Sequence, residues 1–185
     1  MRILYQLTSP MEKTVLGAAE VARRREFLRQ RAGAGVEVDV RSLAEGPASI
    51  ESAWEGALVV PELSERVRQA QAEGFGAVIV GCFSDPGLDA LRELTTIPIV
   101  GPGAAALHLA AQLGTRYSIL SPLTKGAGVV AARLRALGLA GFASVRGIDM
   151  PVLDVARQRE AVLDRVTEVG RAAVRADGAD VLVLG

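Results

Sequence analysis

Asparagine is missing altogether from the 185 residues, cysteine and histidine occur once each, lysine twice, and aromatic residues make up only 4%. Each scarcity closes a class of function. A single cysteine excludes an intrachain disulfide framework, and one cysteine with one histidine cannot form a His/Cys metal cluster. No apolar run reaches the roughly 18–20 residues of a membrane-spanning helix. The chain runs straight into a strand with no signal-peptide pattern, so a soluble cytoplasmic protein is expected. The 21 basic residues balance 21 acidic ones, which leaves no basic footprint for nucleic acid. Gly101-Pro102-Gly103 lacks a third glycine and carries a proline, which sets aside a dinucleotide fingerprint.

Half of the residues are apolar, and the abundance of Ala, Val, Leu and Gly suits helices packed closely on parallel strands. Strand and helix signals alternate. Strands are expected at Ile3–Leu7, Val36–Val40, Ala77–Val80, Ile97–Val100, Arg116–Leu120, Phe142–Arg146 and Val181–Leu184. Helices are expected over Met11–Arg31, Pro61–Glu73, Pro86–Leu94, Ala104–Leu113, Thr124–Leu137 and Leu153–Ala176, and the Gly46–Glu51 loop opens a further short one. This alternation gives an α/β fold of parallel sheets with helices on both faces. Gly101-Pro102-Gly103 is the natural boundary, dividing the chain into α/β domains over 1–101 and 102–185. The closing strand has no helix to cover its apolar edge, so the sequence is expected to be cut short there.

The run Ala77-Val78-Ile79-Val80 reads as a buried parallel strand. Gly81 ends it, and Cys82-Phe83-Ser84-Asp85-Pro86 follows, with Ser84 or Asp85 as a helix N-cap and Pro86 just inside the helix. The thiol is thus expected at the carboxyl end of a strand, where open α/β sheets bind ligands. A helix N-terminus ahead of it favours a thiolate and an anionic ligand. A lone cysteine is commonly a packing residue; this setting favours a reactive one.

The chain also echoes itself. Val174-Arg175-Ala176-Asp177-Gly178 matches Ala70-Gln71-Ala72-Glu73-Gly74 in type, and each precedes a strand that ends in glycine. The position equivalent to Cys82 is the first one after Gly185. Ser9-Pro10-Met11-Glu12-Lys13 and Ser121-Pro122-Leu123-Thr124-Lys125 form a second echo, and together they support two halves of similar plan. Other polar residues read as structural. Arg23-Arg24-Arg25, flanked by Glu20 and Glu26, form a solvated helix face. His108 is a packing histidine on a helix of small residues, Lys13 and Lys125 are solvated helix ends, and Trp54 and Phe75 belong to the core.

Gly46-Pro47-Ala48-Ser49-Ile50-Glu51, Cys82-Phe83-Ser84-Asp85-Pro86-Gly87-Leu88-Asp89 and Met150-Pro151-Val152-Leu153-Asp154 resemble the aspartate/glutamate/hydantoin racemase superfamily, most nearly its hydantoin and allantoin racemase branch. The resemblance covers essentially the whole chain. It implies two Rossmann-like domains with a pseudo-two-fold relation, the active site between them and one catalytic cysteine from each. It implies Cys82 as one acid/base, with the backbone N–H groups of Phe83 and Ser84 holding an anionic or carbonyl oxygen. Ser9 and Ser121 are implied as further substrate contacts; for Ser121 a turn-forming Ser-Pro pair is an equal alternative. A small-molecule substrate and a homo-oligomer follow, with no cofactor. Amino-acid racemases usually carry Asn then Thr after the first cysteine, so Phe83-Ser84 point to a cyclic or less polar substrate. Gln6-Leu7-Thr8-Ser9-Pro10 stands where hydantoin racemases typically show Asn-Pro-Asn.

The implied chemistry needs a base on one face of the carbon and an acid on the other. A thiolate/thiol pair supplies both, because a free thiol titrates near ~8.5. Preorganised N–H donors stabilise the developing enolate. Two alternatives stay open: a single-thiol decarboxylase or isomerase of the same superfamily, and a small-molecule binding protein without a second acid/base.

Overall fold

Leu4, Gln6, Val78, Val80 and Ile99 take alternate positions on neighbouring parallel strands, and all five are buried. That period of two is what a strand pleat imposes. The computed structural model describes residues 1–185, apart from the side chain of Phe142. The chain divides into two compact units, Met1–Pro102 and Gly103–Gly185.

In the first unit β1 (Arg2–Leu7), α1 (Gly17–Arg29), β2 (Glu37–Arg41), α2 (Ala53–Leu58), α3 (Val60–Ala72), β3 (Ala77–Gly81), α4 (Leu88–Glu93) and β4 (Ile99–Val100) follow in order. The sheet order is β2-β1-β3-β4, parallel throughout. On α3, Leu63, Val67 and Ala70 recur at helical spacing, are fully buried, and seat the helix on β1 and β3. Burying each of the two larger side chains is worth roughly 1.5–3 kcal/mol. The opposite face holds Leu7, Met11, Val21 and Val40, with Tyr5, Leu16 and Leu28 packed against them under α1. Helices therefore cover both faces, as expected.

The second unit carries α5 (Pro102–Leu113, opening on the last residue of the first unit), β5 (Tyr117–Ser121), α6 (Ala127–Ala136), β6 (Ala143–Gly147), α7 (Val152–Arg157), α8 (Arg159–Ala172) and β7 (Val181–Leu184). Its parallel sheet runs β6-β5-β7. Every residue of β5 is buried, as befits a strand paired on both edges. Val166 and Val169 of α8 pack on a cluster of Leu120, Ala173 and Ala179. Gly74 (φ 80°) and Gly178 (φ 66°) both take the left-handed conformation that lets a helix end and a strand begin.

Several expectations need correction. The helix expected from Met11 is a 3-10 turn over Met11–Lys13, and α1 begins only at Gly17. The Thr14 hydroxyl donates to the Met11 carbonyl (2.8 Å) and accepts from the Leu16 N–H (3.2 Å), satisfying locally the groups a helix needs. Thr124–Gly126 is likewise a 3-10 turn ahead of α6. The long last helix breaks at Gln158 (φ −112°, ψ 57°) and ends in a π turn over Ala173–Asp177. The sixth strand starts at Ala143; the Phe142 side chain lies outside the described residues. Trp54 is 70% exposed, on a helix, α2, none of whose residues is buried. His108 is exposed rather than packed. Phe75 is buried as expected, with the Arg2 guanidinium 4.2 Å from its ring centre. No helix among the described residues is long and apolar enough to cross a membrane.

A polar clamp closes the second sheet. Arg146 donates two bonds of 2.7 Å to the two carboxylate oxygens of Asp177, and the Ser144 hydroxyl donates to the same carboxylate at 2.7 Å. Arg146 first, then Ser144, brings the Asp177 carboxyl down from 3.8 to about 2. A depressed carboxylate contributes stability fully present above its unfolded value and lost as pH falls through its folded one. Asp177→Asn is expected to cost about 1 kcal/mol at pH 7, or roughly 2–4 °C. The gap from wild type closes as pH drops from about 4 to 2. Thermal melts followed by circular dichroism at pH 7, 4 and 2 check this, and equal melting at pH 7 refutes it.

Candidate functional site

Strand β3 delivers the thiol. Cys82 is half-buried immediately beyond its last residue, at the carboxyl edge of the first sheet. Its N–H donates to the Val80 carbonyl (2.8 Å), and its own carbonyl accepts from the Asp85 N–H (3.0 Å). These two short bonds fold the segment back on itself. Sγ of Cys82 lies 3.2 Å from the Ser84 hydroxyl. Phe83 is half-buried and Ser84 exposed.

Gly81 makes room for a neighbour. A side-chain carbon there would lie 2.6 Å from Cε1 of Tyr5 and 3.0 Å from the Gln6 carbonyl. The Tyr5 ring therefore lies against the end of β3, one residue from the thiol. Burial pushes the Tyr5 phenol up, the Arg24 guanidinium pulls the other way, and the neighbouring Cys82 adds to the rise. Arg24 is itself held by Glu20 (2.7 Å), whose carboxyl is drawn down to about 2, chiefly by its bond from Arg23.

The neighbouring strand ends are tied to this edge. Gln6 is fully buried, and its Nε2 donates to the Leu7 (2.9 Å) and Arg41 (3.2 Å) carbonyls, joining β1 to β2. The Leu43 N–H donates to the Ser9 carbonyl (3.1 Å). Glu62 on α3 accepts from the N–H groups of Ala44 (2.6 Å) and Glu45 (3.2 Å). Burial opposes its ionisation, but these bonds and Arg66 bring its carboxyl below the ordinary value. Ser9 and Cys82 thus follow adjacent parallel strands at one sheet edge. Ser9 is buried there, 5% exposed. Ser121 belongs to the second unit, is buried at the end of β5, and its hydroxyl donates to the Leu123 carbonyl (3.3 Å). That bond serves a turn. Among the described residues no group of three His, Cys, Asp or Glu side chains is placed to hold a metal ion.

The expected helix start beside the thiol is absent. The cap of α4 is Gly87 in the left-handed region (φ 68°), the helix opens at Leu88, and neither Ser84 nor Asp85 caps it. Pro86 stands outside. Val60 presses so closely on Gly87 that an added side-chain carbon would lie 2.8 Å from it, and this contact places the turn. The helix is thus delayed to six residues beyond Cys82 and is itself only six residues long.

Residues 17–185 match the model of the Asp/Glu/hydantoin racemase family. The chain belongs to that family. Hydantoin racemases from Pseudomonas sp. (strain NS671) and Rhizobium meliloti are 33% and 32% identical over 141 and 156 residues, 76% and 82% of this chain. The matched parts are 57% and 64% of those proteins, so the chain spans less than two thirds of their length. Allantoin racemases from Klebsiella pneumoniae and Pseudomonas fluorescens superpose with TM-scores of 0.88 and 0.89 at 27% and 29% identity. They cover 100% of this chain, and it covers 74% and 76% of theirs. An arylmalonate decarboxylase at 18% identity and TM-score 0.64 shares the fold.

Sequence reading missed Tyr5, whose packing on Gly81 is a non-local contact without a motif. Gly81→Ala is expected to destabilise the first unit by roughly 1–3 kcal/mol, the usual cost of overpacking. The same change in a Tyr5→Ala background is expected to cost clearly less. Urea unfolding of the four proteins checks this, and equal costs in both backgrounds refute the contact.

Proposed function

We propose that the protein is a cofactor-independent racemase or epimerase of hydantoin-like rings or related α-amino acid derivatives, working by acid/base transfer between two thiols. The observation that carries this reading is the half-buried Cys82 at the carboxyl edge of the first sheet, in a chain of the racemase family. Cys82 removes or returns the α-proton on one face. The backbone N–H groups of Phe83 and Ser84 hold the carbonyl oxygen whose charge grows as the enolate forms, with Ser9 and Ser121 as further substrate contacts. One thiol cannot serve both faces, and these residues contain one. The reading therefore requires a second thiol, facing the opposite side of the α-carbon from Cys82. Reversing the two roles racemises in both directions.

The lone thiol also favours a second reading, in which Cys82 serves a one-thiol decarboxylase or isomerase, or lines a binding site without turnover. Solvent deuterium uptake separates the two: exchange at the α-carbon of both enantiomers fits the first, exchange of one enantiomer alone or none fits the second.

With both thiols present, racemisation of a hydantoin substituted at its α-carbon in deuterium oxide is expected to place deuterium on that carbon from either enantiomer. Cys82→Ser is expected to lower the racemisation rate by at least about 100-fold, the usual scale of a lost acid/base group. The 185-residue chain alone is expected to racemise nothing. Optical rotation and proton NMR follow both events. Full activity in the one-thiol chain, or racemisation without deuterium uptake, overturns the two-thiol account.

A further inference from the structure

Asp85 stands in an unusual position for a carboxylate. It is 2% exposed, and its backbone is in the left-handed region at φ 47°. Among the described residues only two that are not glycine, Asp85 and Asp149, do this, and the conformation costs an L-residue roughly 1–2 kcal/mol. Burying a carboxylate adds to that cost unless the surroundings satisfy it. A strained backbone of this kind persists only where the structure around it fixes the arrangement.

Gly101, just beyond β4, provides that fixing. A side-chain carbon on Gly101 would lie 2.6 Å from Oδ2 of Asp85 and 2.6 Å from Cδ2 of Leu88. The absent side chain is therefore the space that the carboxylate and the first turn of α4 occupy. The recess is held from the far side, since Arg92 of α4 donates to the Ile99 carbonyl of β4 (3.2 Å). Asp85 also closes the turn that bears the thiol. Its N–H donates to the Cys82 carbonyl (3.0 Å), and its own carbonyl accepts from the Leu88 N–H (3.2 Å). The residue is thus joined on one side to Cys82 and on the other to α4, while its side chain is seated at the end of β4.

We propose that Asp85 is a positioning residue, locking the Cys82 turn by seating its carboxylate in the recess at Gly101. This rests on the reading of Cys82 as the acid/base thiol, because proton transfer needs the thiol held within a fraction of an ångström of its working place. Asparagine keeps the shape and an acceptor oxygen, and tolerates the left-handed region as well as aspartate does. Alanine keeps neither shape nor acceptor.

Amide hydrogen exchange on the unliganded protein tests this residue by residue. Asp85→Ala is expected to lower protection at the amides of Cys82 and residue 85 by about tenfold or more, with the Leu4, Val78 and Val80 amides unchanged, as for a local opening. Asp85→Asn is expected to restore protection to within about threefold. Gly101→Ala is expected to reproduce Asp85→Ala by displacing the carboxylate. In the double variant the second change is expected to add little, since the two act on one contact. An unchanged turn in Gly101→Ala, or loss spread equally over turn and strands in Asp85→Asn, overturns the proposal; both variants keep the test decisive if Asp85→Ala does not fold. Exchange is read without substrate, so its outcome is separate from whether Cys82 moves a proton.

Discussion

The central placing of β3 in the first sheet is the constraint on which the candidate site depends. Paired to β1 along its length and to β4 at its middle, the strand cannot shift register without turning Val78 and Val80 out of the core. Its end is therefore fixed in space, and the residue that follows inherits that rigidity. Gly81, pressed by the Tyr5 ring, is the last point where the chain follows the strand. Cys82, the candidate thiol, follows one residue later.

The turn beyond that point is shaped by contacts rather than by regular structure. Val60 limits what can stand at position 87, and the recess at Gly101 receives the Asp85 carboxylate. Backbone bonds from Cys82 to Val80 and from Asp85 to Cys82 complete it. A thiol on such a turn is held by the sheet and by two helices, although it belongs to neither. Contacts of this kind give a loop residue a fixed position without regular secondary structure.

Charge is used in a similar way away from the site. Arg146 and Asp177 join β6 to the turn before β7, Arg41 and Glu73 join β2 to the end of α3, and Glu62 gathers the loop after β2. Each is partly exposed, so each contributes modestly. Their common effect is to hold connections in register with strands that apolar burial has already placed.

The amino-acid sequence by itself determined the alternation of strands and helices, the parallel sheets and the family, because apolar periodicity, glycine helix ends and the Cys82–Asp89 segment are local signals. Seven strands lie where periodicity puts them, within about two residues, and the thiol stands at a strand end as its flanking residues require. Helix limits were less legible: Thr14 satisfies backbone groups before α1, and Gln158 interrupts a run with continuous helical spacing. Trp54 reads as core by type, yet it stands on α2, none of whose residues is buried. Asp85 reads as a helix cap by its place before proline, while its role depends on Gly101, sixteen positions away and across a strand pair. Only the tertiary structure decided these points, because steric exclusion between residues distant in sequence has no period and no local composition to announce it.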